Sequence, residues 1–236
     1  MKEYKIGLVI ADEMEYAPLL EKKQELGIVA LKTAGRPAHQ FTVKNGQNVA
    51  RIHSVCSGIG KVNAAVAATA LAENGCEILL NCGLSGGVSA VSRGGLNAPE
   101  IFLEHDFNMT GLGYKRSEKP NQDSVFFADK DLLEIFDELL PGIVHGTAVT
   151  GDHFVCNAKV RETIKRDFDA VSCDMESAAI AYVCNTYNIK FGCLRKISDD
   201  AGAENSNTCE AYRSMNNLAE STLVDILLEV IKAIIK

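Results

Sequence analysis

The sequence has no Pro/Gly/Ser-rich break, no low-complexity tract and no repeat of solenoid period, and its 5 prolines are scattered. Those absences leave no place for an interdomain linker or a repeat array. Residues 1–236 are therefore expected to form a single domain, and 47% hydrophobic with 23% charged residues suffices to build and solvate one large core. No apolar run reaches membrane-spanning length, and Met1-Lys2-Glu3-Tyr4-Lys5 leads into a strand instead of the apolar stretch of a signal peptide. The expectation is a soluble, cytoplasmic protein that makes no membrane contact. Basic runs are missing as well. Lys plus Arg number 24 against 31 Asp plus Glu, and the longest basic run is Lys22-Lys23, so binding to a nucleic-acid backbone is not expected. Neither C-x-x-C among the 8 cysteines nor H-x-x-x-H among the 5 histidines occurs, so no metal is expected and the thiols read as reduced and mostly buried.

What is present is an alternation of strands and helices. Lys5 to Ala11 reads as a strand, followed by a helix to about Glu25. Asn45-Gly46 between two apolar runs reads as a hairpin on a type I′ turn. Ser57-Gly58-Ile59-Gly60-Lys61 then opens an alanine-rich helix to about Glu73, and the strand Glu77 to Cys82 ends at Gly83-Leu84-Ser85-Gly86-Gly87. Further strands are expected at Ile101 to Glu104, Gly146 to Thr150, Ala170 to Cys173 and Lys190 to Ile197. Helices are expected over Asp129 to Leu140, Lys159 to Arg166, Ser177 to Asn185 and from about Glu210 onward. This order implies an α/β protein with a largely parallel sheet covered by helices on both faces, plus the antiparallel hairpin. In such folds ligands gather at the carboxyl ends of the strands.

Single carboxylates stand at three of those ends: Glu15, the pair Asp174 and Glu176, and Asp199. Ionised groups near a core need partners or lose solvation energy, so at least one of Asp174 and Glu176 is expected to face a ligand. The competing reading gives Glu176 only the first turn of the following helix, worth about 0.3–1 kcal/mol. Asp199 has a similar alternative, capping the next segment with its own carboxylate, and Glu15 one as a surface residue of the first helix. The two glycine segments can bring backbone N–H groups close to a polar ligand, yet G-x-G-x-x-G is absent, because Asn63 stands at the third glycine position.

Six motifs in one order carry a family resemblance. They are Glu15 before Leu19-Leu20; Ser57-Gly58-Ile59-Gly60-Lys61-Val62; Gly83-x-Ser85-Gly86-Gly87; Gly151-Asp152-x-Phe154; Met175-Glu176-x-x-Ala179-Ile180-Ala181; and Arg195-x-Ile197-Ser198-Asp199. In this set the chain resembles the nucleoside phosphorylase superfamily, and most of all its 5′-methylthioadenosine/S-adenosylhomocysteine nucleosidases. The resemblance implies one domain with a mixed central sheet flanked by helices, a homodimer, no cofactor, and a nucleoside as the small-molecule partner. It implies that Glu15 is the base that activates water and Asp199 the acid that protonates the purine. Glu176 would hold the ribose hydroxyls, Met175 would pack on the sugar, and Arg195 would position polar groups nearby, with Ser198 and Ile59 also at the substrate. Phe154 would stack on the base, the Val155 backbone would read its edge, and Gly86 would lie close to it. Met109, Leu112 and Tyr114 of a neighbouring subunit would cover the 5′ end, and Asn108 to Tyr114 has the composition of an exposed loop.

Cleaving a bond from sugar carbon to purine nitrogen leaves positive charge on the sugar and negative charge on the base. Asp199 therefore needs a raised pKa, while Glu15 and Glu176 can remain charged where partners or water reach them. Phosphorolytic relatives commonly carry an arginine two residues before the Gly83 glycine to grip phosphate; Asn81 stands there, which favours water. A phosphate-dependent purine nucleoside phosphorylase and a catalytically silent nucleoside-binding protein are the alternatives. The chain departs from the nucleosidase pattern at Leu84, where Ser or Thr is usual, at Asp12, often Met, and at Cys209, about where an aromatic closes the 5′ pocket.

Overall fold

Alternating aliphatic runs and glycine or Asx breaks shape the chain into strands and helices as follows. In chain order these are β1 (Glu3–Ile10), α1 (Glu13–Glu21), α2 (Lys23–Leu26), β2 (Val29–Thr33), β3 (Arg36–Asn45), β4 (Asn48–Cys56), α3 (Lys61–Glu73), β5 (Ile78–Gly87), β6 (Leu96–Asn97) and β7 (Ile101–Glu104). A 3-10 turn (Thr110–Leu112) precedes β8 (Val125–Phe127), α4 (Lys130–Leu139), β9 (Thr147–Thr150), α5 (Ala158–Phe168), β10 (Ala170–Asp174), α6 (Ser177–Tyr187), β11 (Lys190–Asp199), α7 (Thr208–Met215) and α8 (Glu220–Ile234). The structure is a computed structural model and describes residues 2–204, 207–215 and 220–236. None of its helices is long and apolar enough to cross a membrane.

The strands form one mixed sheet in the order β2-β3-β4-β1-β5-β10-β9-β7-β8, with β11 alongside β5 and β6. Strand β5 is its centre, parallel to β1 on one edge and to β11 on the other, and its last two residues also pair antiparallel with β10. Side chains alternate across a strand, so Ile6, Leu8 and Ile10 of β1 face a core closed by Leu19 of α1, Leu132 and Phe136 of α4, and Leu227 and Ile231 of α8. Val9 faces the other core, under α3 and α6. Ala64, Ala67 and Ala68 of α3 meet Ala178 and Ala181 of α6 there, and these small side chains allow the two helices to approach closely.

The structure departs from the expected elements in five places. The first helix breaks at Lys22 (ψ 12°) and ends after α2 on left-handed Gly27. The β3–β4 hairpin closes on Gly46-Gln47, and of these only Gly46 has a positive φ (58°), so no type I′ turn forms on Asn45-Gly46. Positive φ at two successive turn residues occurs instead at Ala34 (50°) and Gly35 (74°), between β2 and β3. Strand β5 does not stop at Cys82 but runs through the glycine segment to Gly87, because β11 continues beside it as far as Asp199. The last helical region is two helices, α7 and α8. Strands β2 and β8 carry no clear alternation and were not expected; each lies at one end of the sheet order, where a partner strand supplies what the pattern does not. Six of the cysteines are buried, whereas Cys156 and Cys209 are exposed, and all eight are free thiols.

Candidate active site

The carboxyl ends of β1, β4, β5, β10 and β11 converge on a cavity of about 310 Å³. Its walls include Glu15, Ile59, Gly86, Phe154, Val155, Met175, Glu176, Ser198 and Asp199, so nine of the thirteen residues singled out from sequence meet there. Strand β5 runs through the middle, and its glycines are demanded by close approach. A Cβ on Gly83 would stand 2.8 Å from both Glu15 Oε2 and Arg195 Nη1, and one on Gly86 would stand 3.3 Å from Asp199 Oδ1. Glycine here lets the base and acid candidates close in on a single strand.

Glu15, in the first turn of α1, accepts the Leu84 N–H through Oε1 at 2.8 Å. Burial pushes its pKa from 4.5 to about 8; the Leu84 N–H and Arg195 oppose that rise, and Glu176 and Asp12 add to it. Glu176 accepts the Gly60 N–H at 3.0 Å, and burial pushes it up too, against the pull of Arg195. Burial disfavours the ionised form of both carboxylates, while their N–H donors and the Arg195 guanidinium favour it. Asp199 follows expectation. Burial raises its pKa, while the Ser198 hydroxyl (2.7 Å to Oδ2) and the Ala201 N–H (2.8 Å to Oδ1) hold it back. It caps the next segment and also lines the cavity.

Asp174 and Glu176 divide their roles. Asp174 Oδ1 accepts the Thr150 hydroxyl at 2.6 Å and the N–H groups of Glu176 and Ser177 at 3.1 Å each, which satisfies the start of α6. Its Oδ2 lies 3.0 Å from Arg195 Nη2. Glu176 makes no cap bond to α6 and is the one left for a ligand. Arg195, 1% exposed, is absent from the cavity walls. It lies behind the carboxylates, bound to Asp174, to Asn81 and to the Leu84 carbonyl (3.3 Å), and 3.8 Å from Glu176, so it orients acidic groups instead of meeting a ligand. Asn81 is itself buried, donating to the Val9 carbonyl at 2.9 Å.

Val155 is buried, yet its N–H and C=O enter no hydrogen bond with described residues, which leaves both for the edge of a bound ring. Phe154 meets Tyr212 edge-on, 5.4 Å between centroids. Tyr212 is the aromatic that closes the cavity, one helical turn beyond the exposed Cys209 where it was expected. Arg93 places it by joining the carbonyls of Ser198 and Ala211, both at 3.0 Å. Sequence reasoning missed Tyr212, Ala11, His153 and Cys173 as wall residues; only their neighbours in motifs pointed toward them. Ser85 is another wall residue, with a buried hydroxyl that has no partner among the described residues. Met109, Leu112 and Tyr114 lie outside these walls, on a loop where Leu112 is 73% exposed. A larger groove of about 740 Å³ along Lys5, Phe41 and His53 has one carboxylate, Glu3, and that is paired with Arg51 at 2.6 Å. Convergent chemistry, not size, selects the smaller cavity.

An ion cluster supports the loop that carries Gly60. Lys61 Nζ lies 2.6 Å from Glu104 and 2.7 Å from Asp106, Lys119 also pairs with Glu104, and the Lys61 N–H donates to Asp152 at 2.8 Å. Lys61→Met should cost about 2 kcal/mol, because it strips a partner from half-buried carboxylates, and lower Tm by about 4–8 °C. Lys61→Arg should recover most of that loss. Unchanged melting of Lys61→Met would mean that the cluster is merely solvated surface.

A mixed sheet with carboxylates, an aromatic ring and the unpaired Val155 backbone groups gathered at its strand ends defines an α/β fold with a candidate active-site cavity, and sequence comparison gives its family. The chain belongs to the phosphorylase superfamily, whose family model matches residues 5–232. Within that family it is similar to a 5′-methylthioadenosine/S-adenosylhomocysteine nucleosidase of Tolumonas auensis, with 31% identity over 233 residues, 95% of this chain and 99% of that one. The structure of the 5′-methylthioadenosine/S-adenosylhomocysteine nucleosidase from S. pneumoniae with the transition-state inhibitor MT-ImmA is 28% identical. It superposes with a TM-score of 0.86, covering 98% of this chain and 99% of that one. Futalosine hydrolase of Helicobacter pylori shares the fold at a TM-score of 0.87 with 22% identity, covering 98% of each chain.

Proposed function

We propose that this protein hydrolyses the N-glycosidic bond of adenine nucleosides, 5′-methylthioadenosine and S-adenosylhomocysteine first among them, and releases adenine. One observation carries the choice of water over phosphate. The described walls hold five carboxylates (Asp12, Glu15, Asp174, Glu176 and Asp199) and no Lys or Arg, while the buried Arg195 is engaged behind them. A phosphate ion entering such a cavity would meet no charge-assisted donor. A sugar that gains positive charge as its bond to the base breaks is stabilised by the same walls.

In this reading Asp199 delivers its proton to the purine, with Phe154 against the ring and the Val155 backbone on its edge. Glu176 and Met175 hold the ribose, and Glu15 takes a proton from water. Burial favours protonated Glu15, and positive charge growing on the sugar shifts Glu15 and Glu176 toward their charged forms when it is needed. A product assay tests the reading. Free ribosyl sugar and adenine without added phosphate are expected, and phosphate-dependent formation of a sugar 1-phosphate would replace hydrolysis by phosphorolysis. Ligand binding without adenine release at high protein concentration would leave only a binding protein.

We further propose that residues 1–236 act as one unit that pairs with a second copy. The exposed loop with Met109, Leu112 and Tyr114 would then reach into the partner's cavity at the 5′ end of the substrate. Leu112→Asp should raise KM for 5′-alkylthio nucleosides more than for adenosine. A fully active monomer by light scattering, or equal loss on both substrates, would refute the shared pocket.

A further inference from the structure

Tyr212 reaches the cavity from α7, a helix that has little of its own to hold it in place. It has 8 residues, too few to be stable alone in water. None of its described residues belongs to the hydrophobic cores, and Thr208 is the one among them that is buried. An element with so few buried apolar contacts lies where its ties put it.

Those ties are polar. At the start of α7, the Thr208 hydroxyl accepts the Gly202 N–H at 2.9 Å. Farther along, Arg93 reaches the helix from the turn between β5 and β6. Its Nε donates to the Ser198 carbonyl of β11 at 3.0 Å, and its Nη2 donates to the Ala211 carbonyl at 3.0 Å and to the Ser214 hydroxyl at 2.6 Å. One edge of the guanidinium thus spans a carbonyl of the sheet and a carbonyl of the helix. The group is planar and rigid, so it sets the spacing of the two. The turn that carries Arg93 is itself fastened to β11, since the Gly94 N–H donates to the Ile197 carbonyl at 2.7 Å and the Ile197 N–H to the Gly95 carbonyl at 2.9 Å. Ala211 directly precedes Tyr212, whose ring lies in the cavity wall and meets Phe154 edge-on. Arg93 is exposed and lies outside that wall.

We infer that Arg93 is a positioning residue for the aromatic wall of the cavity: by clasping α7 to the end of β11 it holds Tyr212 against Phe154, and nucleoside affinity depends on the clasp although Arg93 touches no substrate. The inference rests on the nucleosidase reading above, which sets the purine against Phe154, and goes beyond it by assigning a role to a residue outside the cavity. A ring contact is made alike in the ground state and the transition state, so its loss raises KM and leaves kcat in place. Asp199 keeps the Ser198 hydroxyl and the Ala201 N–H when Arg93 is removed, so the acid stays where it is.

The test is a double-mutant cycle in the full chain with 5′-methylthioadenosine as substrate. Arg93→Met removes the donors while keeping an extended side chain, and Tyr212→Ala removes the ring that the clasp places. Each is expected to raise KM about tenfold with kcat within about twofold of the wild type. The double variant should be no worse than Tyr212→Ala alone, because a clasp with no ring to hold has no further effect on affinity. Since α7 adds nothing to the cores, Arg93→Met should melt within about 2 °C of the wild type. Additive losses in the double variant, an unchanged KM in Arg93→Met, a kcat that falls as far as kcat/KM, or a Tm lowered by many degrees would each overturn the inference while leaving hydrolysis intact. If the wild type binds the nucleoside without releasing adenine, the nucleosidase reading fails, and the same cycle read as Kd by calorimetry decides the clasp. Absence of nucleoside binding by the wild type would remove both.

Discussion

Glu15→Gln is expected to abolish adenine release while nucleoside affinity stays near that of the wild type, since the amide keeps the shape and the Leu84 contact but cannot take a proton from water. The same substitution should make the protein more stable at alkaline pH. In the folded state Glu15 has its pKa raised from 4.5 to about 8, so the folded protein binds more protons than the unfolded chain across that window. Stability from this group is therefore fully present below pH 4.5 and lost as pH rises toward 8, by on the order of a few kcal/mol. Glutamine has no such loss. Melting curves should coincide near pH 4.5 and diverge toward pH 8, with the variant higher by several degrees. The wild-type kcat/KM should rise with pH toward about 8 as Glu15 ionises. A variant with near wild-type turnover would remove Glu15 from the base role, and superimposable melting curves at every pH would show that its carboxylate is not desolvated.

The second large effect is at the opposite end of the cavity. Asp199→Asn should slow cleavage of adenine nucleosides by roughly a hundred- to ten-thousand-fold, the loss typical of a positioned acid. Its neighbours set the reason. Asp199 is 2% exposed, holds the Ala201 N–H and the Ser198 hydroxyl, and is biased by burial toward the protonated form that donates. A substrate whose leaving group needs no proton, such as p-nitrophenyl riboside, should be far less affected. Equal damage on the two substrates would mean that the amide disrupts the site as a whole, and the acid role would fall. Because an asparagine side chain keeps a carbonyl oxygen for the Ala201 N–H, unfolding is not the expected cause of the loss.

Both predictions turn on carboxylates that a linear reading could locate but not characterise. Glu15, Glu176 and Asp199 stand at strand ends that the alternation of aliphatic runs makes visible, and the glycines at Gly83 and Gly86 mark where something must approach a strand closely. The ionisation of Glu15 and Glu176 is not legible in the sequence, because desolvation depends on how much protein surrounds a group in space and not on which residues flank it in the chain. By resemblance Arg195 positions polar groups near the substrate; in the fold it is buried and holds Asp174 and Asn81, residues 21 and 114 positions away along the chain.

The sequence alone was enough to establish the α/β alternation, because strand and helix periodicities are local properties of consecutive residues. It was also enough to point to nine of the residues that wall the cavity, since each lies in or beside a motif at a strand end. Only the tertiary structure decided that β5 continues to Gly87, because its extension depends on hydrogen bonds to β11, more than 100 residues later. It alone separated Asp174, which caps α6 and holds Arg195, from Glu176, which is free for a ligand, since two carboxylates two residues apart have identical local signals. It alone placed Tyr212 against Phe154 and brought Asp12 and Asp199 into one cavity, because which side chains share a cavity is set by strand order and helix packing, and those are long-range properties that no window of sequence contains.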